Sequence, residues 1–301
     1  MTVSWVTGAG GFIGTHLTRL LTVRGDRVGG FTHGSERASD AFLEGPIDAE
    51  QLDRLAARTG IPDAIYHLAG GSSVGASFAD PALDFRRTVT TTADLLEWIR
   101  QSAPQAAVVM ASSAAVYGAD HAGPIAKHAT TSPWSPYGFH KLAAELLCRS
   151  YAHNYGLRIS IARLFSVYGP GLRKQLLWDL CGMLERDGGA RLGGTGLELR
   201  DWVHVDDVAQ LLVSAARAAS AEVPILHGGT GTGTNIRTIA ETIATAFGAP
   251  AGAITFSGQA RAGDPFSLVA VPEPTAEWTI GLGEGLGGYV NWFRRQGRAG
   301  A

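Results

Sequence analysis

Thr7-Gly8-Ala9-Gly10-Gly11-Phe12-Ile13-Gly14 joins two patterns of opposite kind near the start of the chain. Residues 2–7 (Thr-Val-Ser-Trp-Val-Thr) read as a buried strand, and Phe12 to Arg24 as an apolar helix. Gly8, Gly11 and Gly14 recur at every third position. Glycines at a strand–turn–helix junction permit a tight turn, close approach of a pyrophosphate and tight packing of helix on sheet. The helix N-terminus adds unpaired amides that suit phosphate. Gly8, Gly11, Phe12, Ile13 and Gly14 are therefore candidate dinucleotide contacts.

Strand patterns recur at 27–32, 64–68, 106–111 and 158–164. Helical patterns at about 49–59, 81–101 and 136–155 separate them. Asp80-Pro81 is a helix start, with a capping carboxylate followed by Pro at the first helical position. Such alternation predicts a doubly wound α/β domain over residues 1–164, a Rossmann-type parallel sheet covered on both faces. After residue 165 the alternation loosens. Shorter helices are expected near 172–186, 206–219, 235–247 and 284–295. Residues 165–301 read as a smaller mixed α/β lobe, interleaved with the first. It is expected to bind substrate over the carboxyl ends of the strands, where ligands of open α/β sheets sit. A second glycine run, Gly229-Thr230-Gly231-Thr232-Gly233, reads only as a turn, with Thr234 capping the next helix.

The 301 residues are 45% hydrophobic, enough for a sizeable core. Net charge is −2, which gives no broad electrostatic case for nucleic acid or an anionic membrane. The only cysteines, Cys148 and Cys181, read as buried reduced thiols rather than a disulfide or metal site. No run has the apolar length of a membrane span. The first residues lack the basic-then-apolar order of a signal peptide, so a cytoplasmic protein is expected.

Tyr137-Gly138-Phe139-His140-Lys141 puts a phenol and an ammonium one helical turn apart on one face. A cation beside a phenol lowers its pKa, which makes a general acid/base for an alcohol. At the end of the second strand an acidic residue would bind the adenosine ribose of NAD. Here the sequence is Phe31-Thr32-His33-Gly34-Ser35-Glu36-Arg37. His33, Ser35 and Arg37 suit a 2′-phosphate, so NADP is expected in preference to NAD.

Further motifs follow in order: His67-Leu68-Ala69-Gly70, Ser112-Ser113-Ala114-Ala115-Val116-Tyr117-Gly118, and Ser135-Pro136-Tyr137 with Lys141. Then come Arg163-Leu164-Phe165-Ser166-Val167-Tyr168-Gly169-Pro170-Gly171, Arg200 to Asp207, and Arg261-Ala262-Gly263-Asp264-Pro265. Together they resemble the extended short-chain dehydrogenase/reductase family, specifically its nucleotide-sugar epimerases, dehydratases and reductases. The resemblance implies a catalytic Ser113, Tyr137 and Lys141. It implies that Tyr137 and Lys141 also touch the cofactor, as do Leu68, Ala69 and Gly70. Arg200 and Arg261 match positions that bind a nucleotide diphosphate, and Ser166 and Arg173 fall near the substrate.

Three departures matter. The 4,6-dehydratases carry Asp-Glu where this chain has Ala114-Ala115, so dehydration is not expected. Thr88 and Ser166 replace two asparagines common in relatives. Pro46 replaces a frequent adenine-contacting Asp. The leading expectation is a 4-ketoreductase of a nucleotide-linked 4-keto-6-deoxy sugar, with Tyr137 as proton donor. The alternatives are a 4-epimerase with tightly held NAD and, from another class, an inactive dinucleotide-sensing protein. The resemblance also implies a homodimer built on the helices near 81–101 and 136–155.

Overall fold

The computed structural model describes residues 1–32, 41–121, 123–259 and 263–298. It divides into two compact units. The first comprises residues 1–118, 127–164 and 208–228, and the second 119–126, 165–207 and 229–301.

The first unit begins with β1 (Val3–Thr7), α1 (Phe12–Val23), β2 (Arg27–Thr32) and β3 (Phe42–Glu44). It continues with α2 (Ala49–Thr59), β4 (Ala64–His67), α3 (Val74–Ala79), α4 (Pro81–Phe85) and α5 (Thr91–Ser102). Then come β5 (Ala107–Ser113), α6 (Pro136–Tyr155) and β6 (Arg158–Leu164). Seven parallel strands form one sheet in the order β10-β6-β5-β4-β1-β2-β3, where β10 is Ile225–Gly228. β1 lies between β2 and β4, so the winding reverses there. Ligands of doubly wound sheets bind at that reversal, outside the carboxyl ends of the strands.

β3 and β10 are absent from the sequence reading. Each is only three or four residues long, too short for an alternation signal. The chain leaves the first unit after residue 164, and β10 interleaves the two. β10 hydrogen-bonds to β6 in parallel register, Ile225 opposite Ile161, and so draws residues 208–228 back into the first unit. The 81–101 helix is three pieces, because a π turn at Arg86–Thr90 separates α4 from α5.

One face of the sheet carries a core shared with α2, α5 and α6, including Trp5, Ile65, Val108 and Ile161 from strands and Leu52, Leu55, Leu96 and Ile99 from helices. Burying each such side chain is worth roughly 1.5–3 kcal/mol. Trp5 stacks on Trp98 at 5.1 Å between centroids. Both indoles keep a partner when buried: Trp5 Nε1 donates to Thr59 Oγ1 and Trp98 Nε1 to Asp53 Oδ1, each at 2.8 Å. Cys148 and Cys181 are buried free thiols.

The second unit holds β7 (Ser166–Tyr168), α7 (Gln175–Asp187), β8 (Ala190–Leu192) and β9 (Leu199–His204). α8 (Val205–Ala218) then leads back to the first unit. β11 (Gly233–Asn235), α9 (Ile236–Phe247), β12 (Ile254–Phe256), β13 (Ser267–Leu268) and α10 (Leu282–Arg298) complete it. β9 is the hub, pairing with β7, β11 and β13. Asn235, not Thr234, caps α9, accepting from Thr238 N at 2.7 Å. The 229–233 turn is held by Asp201, a fully buried carboxylate that accepts from Thr230 N, Thr230 Oγ1, Gly231 N and Ala270 N at 2.7–3.1 Å. No helix among the described residues is long and apolar enough to cross a membrane.

Candidate active site

The glycine turn follows β1 and is closed by a Gly11 N to Gly8 O bond of 2.9 Å. Gly8 has φ +71°, where a side chain is strained. A Cβ at Gly14 would collide with the Gly8 carbonyl, which fixes glycine there too. Phe12 and Ile13 open α1, whose N-cap is Gly11. No side chain caps that end, so its amides stay available to an anion.

Across the sheet reversal, Thr7 ties this turn to the end of β4. Its Oγ1 accepts from Leu68 N and Ala69 N, both at 3.1 Å, and lies 2.8 Å from His67 Nδ1. With two amides donating to it, the Thr7 hydroxyl spends its own proton on Nδ1. His67 Nε2–H then donates to Thr92 Oγ1 (3.0 Å), which donates to Thr88 O (2.5 Å). The chain assigns one neutral tautomer. Burial, with a smaller push from Lys141, lowers the His67 pKa to about 3.

A cavity of about 240 Å³ is lined by Ala9 of the glycine turn with Thr18, Thr32 and Phe42. The buried hydroxyls Thr18 Oγ1 and Thr32 Oγ1 have no hydrogen-bond partner. Thr32 ends β2, where ribose is read in dinucleotide folds. Two orphaned hydroxyls, an apolar wall and a glycine cradle fit the adenosine end of a nicotinamide dinucleotide. His33, Ser35 and Arg37 lie outside the described residues.

Ser113 ends β5, and Tyr137 and Lys141 share the first turns of α6. Ser135 caps that helix, accepting from Gly138 N at 3.2 Å, with Pro136 in the first turn. Ser77 Oγ accepts from Tyr137 N at 3.0 Å. The Ser113 hydroxyl is near enough to the Tyr137 phenol to pull its pKa down. Ser113 Oγ accepts from Ala115 N at 3.2 Å. Lys141 is 4% exposed; its Nζ donates to Ala111 O at 3.0 Å and lies 5.9 Å from the Tyr137 ring centroid. Burial lowers its pKa to about 8, against the raising pull of Asp84 and then Glu145.

The expected lowering of the Tyr137 pKa is overturned. Burial raises it above the ordinary phenol value; the Ser113 hydroxyl lowers it in part, and the Asp84 charge raises it further. Desolvation penalises the phenolate more than the ammonium beyond the ring can offset. Ala114 and Ala115 follow Ser113 in a short 3₁₀ turn and bring no acid.

Below this set, Glu145 of α6 holds Arg163 of β6 through two contacts of 2.9 and 2.6 Å, and accepts from Ser112 Oγ at 2.5 Å. Arg163 Nη1 donates to Tyr117 OH (2.8 Å), which meets His227 Nε2 at 2.6 Å.

In the second unit, Ser166 and Arg200 line one cavity of about 590 Å³, together with Gln175, Asp179, Glu198 and Trp202. Trp202 Nε1 is buried there without a partner. Arg200 donates to Asp264 Oδ1 and to Leu199 O, both at 2.8 Å. Arg173 does not join them: it bonds Gln296 at 2.6 Å and rests 5.9 Å over Trp292. Arg261 lies outside the described residues. Gln175, Asp179 and Glu198 were not identified from sequence, since helix and loop polarity alone gives no sign of a shared cavity.

Fold and site define a dinucleotide-binding enzyme of the doubly wound class. The chain belongs to the NAD dependent epimerase/dehydratase family, whose model matches residues 5–226. A UDP-glucose 4-epimerase of Azospirillum brasilense is 33% identical over 292 residues, covering 88% of this chain and 82% of that protein. The solved structure of MoeE5 in complex with UDP-glucuronic acid and NAD has a TM-score of 0.86 at 30% identity, covering 98% of this chain and all of that one. The UDP-glucose 4-epimerase of Thermotoga maritima, solved with UDP-glucose, has a TM-score of 0.89 at 25% identity, with 98% and 99% covered.

Proposed function

We propose that the chain is a nucleotide-sugar 4-epimerase, with Ser113, Tyr137 and Lys141 as its catalytic residues. The observation that carries this is the Tyr137 phenol within reach of the Ser113 hydroxyl and beside buried Lys141, with alanines where a dehydratase needs acids. One proton-transfer group suffices to take a proton from a sugar hydroxyl and return it; eliminating water needs more. The relatives named as 4-epimerases support the same reading.

In this reading Ser113 hydrogen-bonds the sugar O4. Tyr137 takes the O4 proton and returns it after the 4-keto sugar has turned its other face. Lys141 brings an ammonium 5.9 Å from the Tyr137 ring centroid, a positive charge that favours phenolate against the burial that disfavours it. When bound, the nicotinamide dinucleotide supplies a reversible hydride acceptor. Gly8, Gly11, Phe12, Ile13 and Gly14 bind its phosphates and Leu68, Ala69 and Gly70 flank it. Arg200 exchanges Asp264 for the substrate diphosphate, a charge-assisted pairing that suits a guanidinium. Ser166 lines the same cavity. Two copies pair through α5 and α6; the exposed Phe139 and Leu146 of α6 support this.

The 4-ketoreductase expectation and the NADP preference rest on His33, Ser35 and Arg37, and comparing NAD with NADP affinity tests the preference. Incubating the protein with UDP-glucose or UDP-glucuronate is the direct assay. The 4-epimer is expected without added reductant. Turnover only of a nucleotide-linked 4-keto sugar with consumption of NADPH would return the reading to a reductase. Tyr137→Phe is expected to keep cofactor binding and lose turnover; retained turnover would remove Tyr137 from its role.

A further inference from the structure

Asp84 and His140 belong to neither the cofactor cradle nor the Ser113–Tyr137–Lys141 set. Asp84 comes from α4 and is 5% exposed, while His140 immediately precedes Lys141 on α6. His140 Nδ1 stands 2.6 Å from Asp84 Oδ2. So deep a carboxylate is costly without a partner, and the imidazole provides one. The other oxygen, Oδ1, is pressed against Gly71, where an added Cβ would collide with it. One residue earlier, a Cβ on Gly70 would stand 3.2 Å from Lys141 Nζ and 3.4 Å from Thr88 Oγ1. Carboxylate and ammonium therefore abut consecutive residues of a single turn. Thr88 pins that turn by accepting from Gly71 N at 2.8 Å.

We propose that Asp84, clamped by His140, is the counter-charge of buried Lys141 and a positioning residue for the chemistry at Tyr137. Its link to turnover rests on the function proposed above; its link to the Lys141 charge does not. The other carboxylate acting on Lys141, Glu145, is already engaged by the Arg163 guanidinium on two sides. Asp84 is the stronger of the two in holding a proton on Lys141, and it holds one on Tyr137 as well. The ionisable groups of α6 around the pair are Tyr137, His140, Lys141 and Glu145. Arg86 and Arg87, which follow α4, are exposed, and α3 has no ionisable side chain. The sequence offers no signal for this pair, because it joins residues 56 positions apart.

The chain has three lysines, Lys127, Lys141 and Lys174, so isotope-labelled lysine gives three side-chain NMR signals. In the full chain Lys141 is expected to titrate near 8. Asp84→Asn is expected to move that midpoint down by about one pH unit, the size of effect a nearby opposite charge has. Lys127 and Lys174 should not move. The charged fraction at pH 8 then falls from about a half to about a tenth, so kcat drops roughly fivefold there with KM unchanged. Asp84→Glu restores the midpoint. His140→Gln shifts Lys141 the same way by less, and the double variant is no worse than Asp84→Asn, because His140 acts through Asp84.

A folded Asp84→Asn protein with an unmoved Lys141 midpoint overturns the inference. Should that variant not fold, an unmoved midpoint in His140→Gln overturns it equally. A shifted midpoint in a protein that turns over no nucleotide sugar would uphold the counter-charge and sink the epimerase reading instead.

Discussion

Acid should weaken the first unit through His67 more than through an ordinary histidine. The ring is 1% exposed and fixed as a neutral tautomer between Thr7 and Thr92. A proton added at Nδ1 would face a Thr7 hydroxyl that already accepts two amides, and the Thr7 proton would lose its acceptor. The folded state therefore refuses the proton down to about pH 3, whereas an ordinary histidine takes it near 6.5. Between those values the unfolded chain binds one proton more than the folded chain. The His67 contribution is complete above pH 6.5 and is lost as pH falls toward 3. Going from pH 7 to pH 5 should cost about 2 kcal/mol from this residue alone. Urea unfolding followed by tryptophan fluorescence at both pH values measures the loss. His67→Gln should start less stable, yet lose about 2 kcal/mol less than the parent over the same interval. The other eight of the 9 histidines contribute equally to both proteins and cancel. Equal losses in parent and variant would refute the assigned tautomer and its cause.

Glu145→Gln leaves the Arg163 charge 4% exposed without its carboxylate, and should cost about 3–5 kcal/mol, seen as a fall in Tm. Replacing both residues with Met should recover much of that loss. Asp201→Ala strips four hydrogen bonds from the 229–233 turn and from Ala270 N. A loss of at least ~2 kcal/mol is expected, with faster amide exchange at Thr230 and Gly231. Gly14→Ala drives a Cβ into the Gly8 carbonyl and should abolish dinucleotide binding by calorimetry.

Much of the fold is legible because its signals are local. The β1–Gly8–α1 junction needs only strand pattern, glycine spacing and helix pattern in series. Asp80 announces its helix through a side chain that reaches three residues ahead. β3 and β10 escape such reading because edge and terminal strands of three or four residues owe their conformation to the neighbour they pair with. The π turn at Arg86–Thr90 escapes it too, because helical periodicity runs on through that segment. The glycine run at 229–233 looked like a bare turn, and only the fold brings Asp201 beneath it.

The site divides in the same way. Spacing along one helix face fixes Tyr137 and Lys141 as neighbours, whatever surrounds them. The residue types at 114 and 115 settle by themselves that no carboxyl follows Ser113. What spacing cannot supply is the dielectric. The sequence suggests that Lys141 makes Tyr137 more acidic, whereas burial makes the phenol less acidic and Lys141 itself easier to deprotonate. Solvation depends on every atom packed around a group, and those atoms come from β4, α4, β5 and α6 at once. The sequence by itself determined which groups stand together; the tertiary structure decided their charges, because only packing sets how much water reaches them and which distant residues, such as Asp84 and Glu145, stand in its place.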